Sequence, residues 1–263
     1  MEARTQKQII VGLVSLIVFA TFFSGVVFLF RAKTSSPPRE PIATPTPFVS
    51  VLKDIEVEFS DVFEIRKEGT FDAVALVKNP NLEYGAPQFL YEFIFTGQNG
   101  AELARVEGKA FILPKTSRYV IEPALKLLAK PASVAFKIKK VEWQLLDPFS
   151  PLGLSLKDTN LGRDETQGVS RFSGVVQNRS SYNLKNVEVH VVLSDPANGG
   201  KPIAAGRTDM QDFLRDTDRF FTIQWPYILP ANLKIDARTE SNFFENSNFI
   251  REYGKPEKFE KYY

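Results

Sequence analysis

Residues 174–195 read GVVQNRSSYNLKNVEVHVVLSD, and this stretch decides the fold. Val187, Val189, Val191 and Leu193 alternate with Glu188 and His190, the period-two pattern of a strand with one buried and one wetted face. Ahead of it, Gly174-Val175-Val176-Gln177 forms an earlier strand that closes on Asn178. An Asn side chain can accept a hydrogen bond from its own backbone two residues on, so Asn178 marks a turn. The alternation places Glu188 and His190 on the solvent face.

The same construction stands about 100 residues earlier. Ala75-Leu76-Val77-Lys78-Asn79 precedes Pro80-Asn81 as Gly174–Asn178 precedes Arg179-Ser180. Asn99-Gly100 then corresponds to Gly199-Gly200, Arg118-Tyr119-Val120-Ile121 to Arg219-Phe220-Phe221-Thr222, and Pro131-Ala132 to Pro230-Ala231. Four landmarks in one order, at offsets of 99 to 101 residues, indicate duplication. Each landmark has a physical reason to be there. The glycines supply positive φ to a tight turn, and the prolines precede a strand where no ladder bond is lost. Between the landmarks, Ile55, Val57 and Phe59 alternate with Glu56 and Glu58, and Val134, Phe136 and Ile138 with Lys137 and Lys139. Helical patterning is confined to residues 124–129, enough for about one turn.

The run VALVKNPN at 74–81 resembles the strand-plus-NPN signature of WHy domains, found in late-embryogenesis-abundant proteins. GVVQNRSSYNLKNVEVHVVLSD resembles the bacterial FxLYD domain, in which a G-x-V-x-N strand leads to one ending F-x-L-Y-D. Here that ending is Val191-Val192-Leu193-Ser194-Asp195 in the second copy, keeping Leu and Asp, and Phe93-Ile94-Phe95-Thr96-Gly97 in the first, keeping Phe. Both resemblances imply an Ig-like antiparallel sandwich of about 100 residues. Neither carries over a catalytic residue.

At the N-terminus, Ile9–Phe30 contains 22 positions without a charge. A helix rises about 1.5 Å per residue, so this run spans roughly 33 Å, enough for the hydrocarbon core of a bilayer. A cleaved signal peptide has an apolar region of about 7–15 residues before a small-x-small site, whereas this run passes straight into Arg31-Ala32-Lys33. A retained transmembrane helix is therefore expected over 9–30, with a cytoplasmic tail at 1–8 and the bulk of the chain outside the cytoplasm. Prolines at 37, 38, 41, 45 and 47 exclude regular structure from 31–50, giving a polyproline-like linker of about 3.1 Å per residue.

Composition closes off several classes of function. Lys and Arg number 33 against 31 Asp and Glu, a net charge of +2, so no bulk field exists to grip nucleic acid. Cysteine is absent, which removes disulfides, thiol catalysis and cysteine metal sites. The single histidine, His190, suits an ordinary surface residue better than a metal ligand. The acidic run Asp209, Asp212, Asp216 and Asp218 lacks the calcium-loop spacing and is interleaved with Arg215 and Arg219, as in a charged loop. Asn178-Arg179-Ser180 fits a glycosylation sequon but coincides with the structural turn. Trp143 and Trp225 are expected to pack at strand ends.

The expectation is an all-β chain: two tandem Ig-like antiparallel sandwiches, 51–146 and 147–250, behind one transmembrane helix, with a tail at 251–263. No catalytic, cofactor-binding or metal residue is expected. The partners are the bilayer, through 9–30, and another protein, with no nucleic acid; the function is a non-enzymatic structural or interaction module. Two alternatives differ in kind. An apolar or amphiphilic ligand between the sheets requires a cleft lined by the plentiful phenylalanines, of which there are 23. A carboxylate hydrolase requires two acids facing each other at about 5–10 Å in a concave site.

Overall fold

The computed structural model describes residues 20–21, 52–66, 69–146 and 153–250. The expected membrane span at 9–30 (apart from 20–21), the linker at 31–50 and the tail at 251–263 lie outside the described residues. Among the described residues no helix is long and apolar enough to cross a membrane.

Strands dominate: β1 (Glu56–Arg66), β2 (Thr70–Lys78), β3 (Tyr84–Thr96), β4 (Glu102–Ile112), β5 (Ser117–Lys126) and β6 (Ser133–Leu145), then β7 (Leu154–Asp164), β8 (Val169–Asn178), β9 (Leu184–Asp195), β10 (Lys201–Phe213), β11 (Thr217–Trp225) and β12 (Lys234–Glu240). They form four three-stranded sheets, ordered β1-β2-β5, β4-β3-β6, β11-β8-β7 and β10-β9-β12. Every pairing is antiparallel. Adding six to each label of the first half reproduces the second half, so the internal repeat of the sequence is also a repeat of topology. The sheets pack in pairs as sandwich-like layers, and the two halves belong to one compact unit.

Each pair of sheets encloses its own core. In the first half, Phe89, Tyr91, Phe93 and Phe95 project from one face of β3, and Phe93 and Tyr91 meet the Phe136 ring of β6 at 4.8 Å and 5.2 Å. In the second half, Val187, Val189, Val191 and Leu193 of β9 take the corresponding role beside Phe172, Phe213 and Trp225. Burying each such side chain contributes about 1.5–3 kcal/mol. Trp225 ends β11 in this core and donates its Nε1–H to Ala205 O at 2.9 Å.

The turns follow the expected chemistry with one departure. Gly100, Gly199 and Gly200 all hold positive φ, at 78°, 67° and 72°. Residues 124–126, part of the expected helical turn, instead belong to β5. There a bulge opposite Phe71–Ala73 puts Ala124 at φ 54°, and its N–H donates to Asp72 Oδ1 at 2.8 Å. The extra residue of the bulge breaks the alternation by which a strand is recognised in sequence.

Asn79 and Asn178 occupy equivalent places and make equivalent bonds. Each accepts at Oδ1 from the N–H two residues on, Asn81 or Ser180, at 3.0 Å. Each also donates its amide across the module: Asn79 to Tyr84 O and Leu113 O, Asn178 to Tyr182 O, Phe213 O and Leu214 O. One side chain thus fastens two turns together. Because Asn178 is fully buried and its amide nitrogen is engaged, the sequon there offers no site for a glycan in the folded chain.

Replacing Asn178 with Ala leaves three carbonyls and the Ser180 N–H short of a partner and is expected to cost about 2–3 kcal/mol. Asn178→Asp keeps the shape and the acceptor but sets a carboxylate against those carbonyls, so it is expected to cost at least as much. Urea unfolding followed by tryptophan fluorescence measures both.

Candidate functional site

A third apolar cluster lies between the two halves. Val74 and Leu76 of β2 and Tyr119 and Ile121 of β5 pack against Val192 of β9 and Ala205 of β10, with Phe59 and Phe63 alongside. The outer face of sheet β1-β2-β5 therefore covers the outer face of sheet β10-β9-β12. Residues 73–77 are buried throughout because alternate members serve different cores: Ala73, Ala75 and Val77 the interior of the first half, Val74 and Leu76 the shared face.

Polar side chains frame this contact. Arg118 donates from Nη2 to Glu188 Oε2 at 2.5 Å and from Nη1 to Glu240 Oε2 at 2.8 Å. Its guanidinium also lies 3.9 Å from the centroid of the Phe111 ring. Tyr119 donates its hydroxyl to Asp236 Oδ2 at 2.8 Å. Arg238 reaches back to Ser117 O at 3.1 Å and covers the Tyr119 ring.

Here the structure corrects the placement of His190. The expected surface histidine is buried, at 2% exposure, with Nδ1 3.4 Å from Glu240 Oε1 and Nε2 3.4 Å from Glu188 Oε2. His190 does point away from the core of its own half, as the alternation requires. What it meets there is not water but Glu188 and Glu240, the two carboxylates that Arg118 of the first half also bonds.

Glu188 and Glu240 lie directly opposite each other across β9 and β12. They are a close pair of carboxylates of the kind an acid–base hydrolase uses, and both are committed to Arg118. Burial alone raises the pKa of Glu240, but the Arg118 charge and its contacts with His190 and Arg118 outweigh it and hold the carboxyl below the usual glutamate range. Asp236 is likewise held low: burial opposes this, and bonds from Arg238 and Tyr119 prevail. Burial pushes Tyr119 up, assisted by Asp236. A general acid needs a carboxyl shifted upward, the opposite of what Glu240 and Asp236 show.

The remaining candidate residues are structural or exposed. Asp212 and Asp216 stand at positive φ, 54° and 56°, around the β10–β11 turn. Asp218 is bonded by Lys157 at 2.9 Å and by Arg179, while Asp209 is exposed. The buried phenylalanines, among them Phe89, Phe93, Phe95, Phe172 and Phe213, fill the two cores.

A groove of about 510 Å³ does open along one side of the first half, lined by Asp54, Ile55, Val57, Ile138, Lys139, Lys140, Val141 and Trp143. It lies between β1 and β6, strands at the edges of two different sheets. At one end the strands are bridged by Ser60 Oγ donating to Val134 O at 3.2 Å; beyond it they separate. Val57 in the groove is 41% exposed, and no phenylalanine lines it.

No family model matches the sequence, and no curated protein matches it. Among solved structures, red sea bream transglutaminase is matched over 73% of this chain at 9% identity and a TM-score of 0.22. The chain spans 29% of that structure's length. At that TM-score the likeness carries no argument about fold or activity.

Two measurements test the buried frame. Arg118→Ala strands two carboxylates in a covered interface and is expected to cost about 3–5 kcal/mol. Adding Glu188→Gln and Glu240→Gln should recover part of that loss in a mutant cycle. Because Glu240 and Asp236 titrate lower in the folded state, their contribution is present above the ordinary carboxylate range and lost as the pH falls through the folded values. The melting temperature should therefore drop below about pH 4, and Glu240→Gln should flatten the drop.

Proposed function

We propose that this chain is a membrane-anchored, non-catalytic pair of tandem Ig-like sandwiches that docks another protein outside the cytoplasm. In this reading 9–30 is the transmembrane helix, 31–50 a stalk, and 51–146 and 147–250 the two sandwiches. The single observation that carries it is the groove between β1 and β6. Strand β1 bonds only to β2 and β6 only to β3 among the described strands, so each presents unpaired N–H and C=O groups toward a shared depression. An extended segment can add there as a strand, backbone bonds supplying affinity and the apolar floor of Ile55, Val57, Ile138, Val141 and Trp143 selecting side chains. The groove contains one carboxylate, Asp54, and no histidine, a lining suited to holding a segment rather than cutting it. Anchor and stalk add effective concentration by confining the groove near the membrane surface.

Photo-crosslinking in the native membrane tests this directly. Benzoylphenylalanine placed at Val57 or at Ile138 is expected to give one protein adduct of defined mass, lost when Val141→Glu charges the groove floor. The same group at Leu128, at the far end of β5, should give none. Equal labelling from 57, 138 and 128, or none from the groove, overturns the reading.

A further inference from the structure

The end of the first half at which the described chain begins is unusually apolar. Leu52, Leu82 and Leu145 are exposed by 38%, 61% and 51%. Backbone bonds hold them around the β2–β3 turn. Lys53, next to Leu52, donates its N–H to Asn81 Oδ1 at 2.9 Å, and its carbonyl accepts from Asn81 Nδ2 at 2.8 Å; Leu82 follows Asn81. Leu146, next to Leu145, donates its N–H to Glu83 O at 2.7 Å. Trp143, two residues before Leu145, extends the apolar surface into the groove. At the opposite end, near the bond from Leu127 N to Gly69 O, Leu128 is fully exposed but has no such company. Single exposed leucines are ordinary; three brought to one end of the module by these backbone bonds, with a half-buried tryptophan two residues from one of them, mark a contact surface.

We infer that this end of the first sandwich rests on the lipid bilayer, with Leu52, Leu82 and Leu145 entering the headgroup–acyl boundary. The occupant follows from the chain outside the described residues. Residues 1–51 lead directly into Leu52, one of the three leucines, and they contain the 22-residue uncharged run and a stalk of 20 residues. The stalk enters the module beside Leu52, so in the anchor reading the leucine-bearing end is the tethered end. The neighbouring charges are mixed: Lys53 against Asp54 and Glu83. Contact is therefore apolar in origin, about 5–10 Å deep, and independent of anionic lipid. The mouth of the groove is thereby held at the bilayer surface. This inference rests on the anchor reading of 9–30.

The absence of cysteine makes a clean test available. The full chain is reconstituted in phosphatidylcholine vesicles with one spin label at a time, on Ala20→Cys, Leu82→Cys or Leu128→Cys, and accessibility to oxygen is compared with that to a water-soluble nickel complex. Labels at 20 and 82 are expected to favour oxygen, by at least several-fold relative to 128, and phosphatidylserine should leave the ratio unchanged. A label at 20 in lipid with 82 in water overturns the inference alone, while a label at 20 in water overturns the anchor reading as well. A label at 82 that is immobilised yet shielded from both reagents assigns the patch to a second copy or another protein and likewise overturns lipid contact. Because Leu82 is exposed, its replacement does not threaten the fold; vesicles carrying Leu52→Ser with Leu145→Ser should shift the 82 label toward water.

Discussion

Strands β2 and β9 are buried on both faces, and the rest of the molecule is arranged around that requirement. A sandwich of about 100 residues with six strands leaves the outer face of each sheet to water, where alternation puts polar residues. Here Val74, Leu76, Tyr119 and Ile121 occupy an outer face of the first half, and Val192 and Ala205 one of the second. Neither face is tolerable in water, and each is covered by the other. The duplicated chain therefore packs as one unit of four sheets, and burying the shared face raises the fraction of surface removed from water, which small domains lack.

Around that apolar patch the charged groups select the geometry more than they stabilise it. A buried ionic triad such as Arg118 with Glu188 and Glu240 recovers its desolvation cost only when its geometry is good. Any slip of one sheet along the other breaks bonds from Arg118, Tyr119 and Arg238 at once, since each reaches a residue more than 60 positions away. The cluster acts as a register pin, a use for which buried polar groups are best attested.

Range along the chain decides which parts of the structure are legible in the sequence. The strand alternation, the glycine turns and the Oδ1 half of each Asn bond depend on neighbours two to ten residues away, and they can be read directly; the repeat, though about 100 residues long, is read by comparing such local landmarks. The amide half of the Asn clamp cannot, because Asn79 and Asn178 reach carbonyls 34 and 35 residues on. His190 is the same case at longer range: the alternation of β9 gives its direction, and only the fold supplies what lies in that direction. A signal for it does exist. Ala73–Val77 is apolar without interruption, and Val191-Val192-Leu193 breaks the alternation of β9; unbroken runs of this sort belong to strands covered on both sides. The groove has no such signature, because Ile55, Val57 and the alternating residues of β6 look like ordinary core positions.

The contact between the halves joins different faces of two equivalent modules, and a contact of that type is open-ended: the same faces recur on every further copy. The second half keeps the beginnings of the joining face. Arg219 corresponds to Arg118 and lies over Phe213, 5.8 Å from its centroid, as Arg118 lies over Phe111. Phe220 corresponds to Tyr119 and is 69% exposed. The positions equivalent to Val74 and Ile121, however, are Ser173 and Thr222, and the Asp236 and Glu240 that Tyr119 and Arg118 engage have already been used. Polar residues at two of the four central positions remove most of the apolar area that makes the first contact favourable. That sheet face of the second half therefore offers a neighbouring module little to pack against, much as the outer faces of terminal repeats in stacked proteins are polar. The Arg-over-Phe pairing persists because it supports the sandwich from within its own module, whether or not a neighbour covers it.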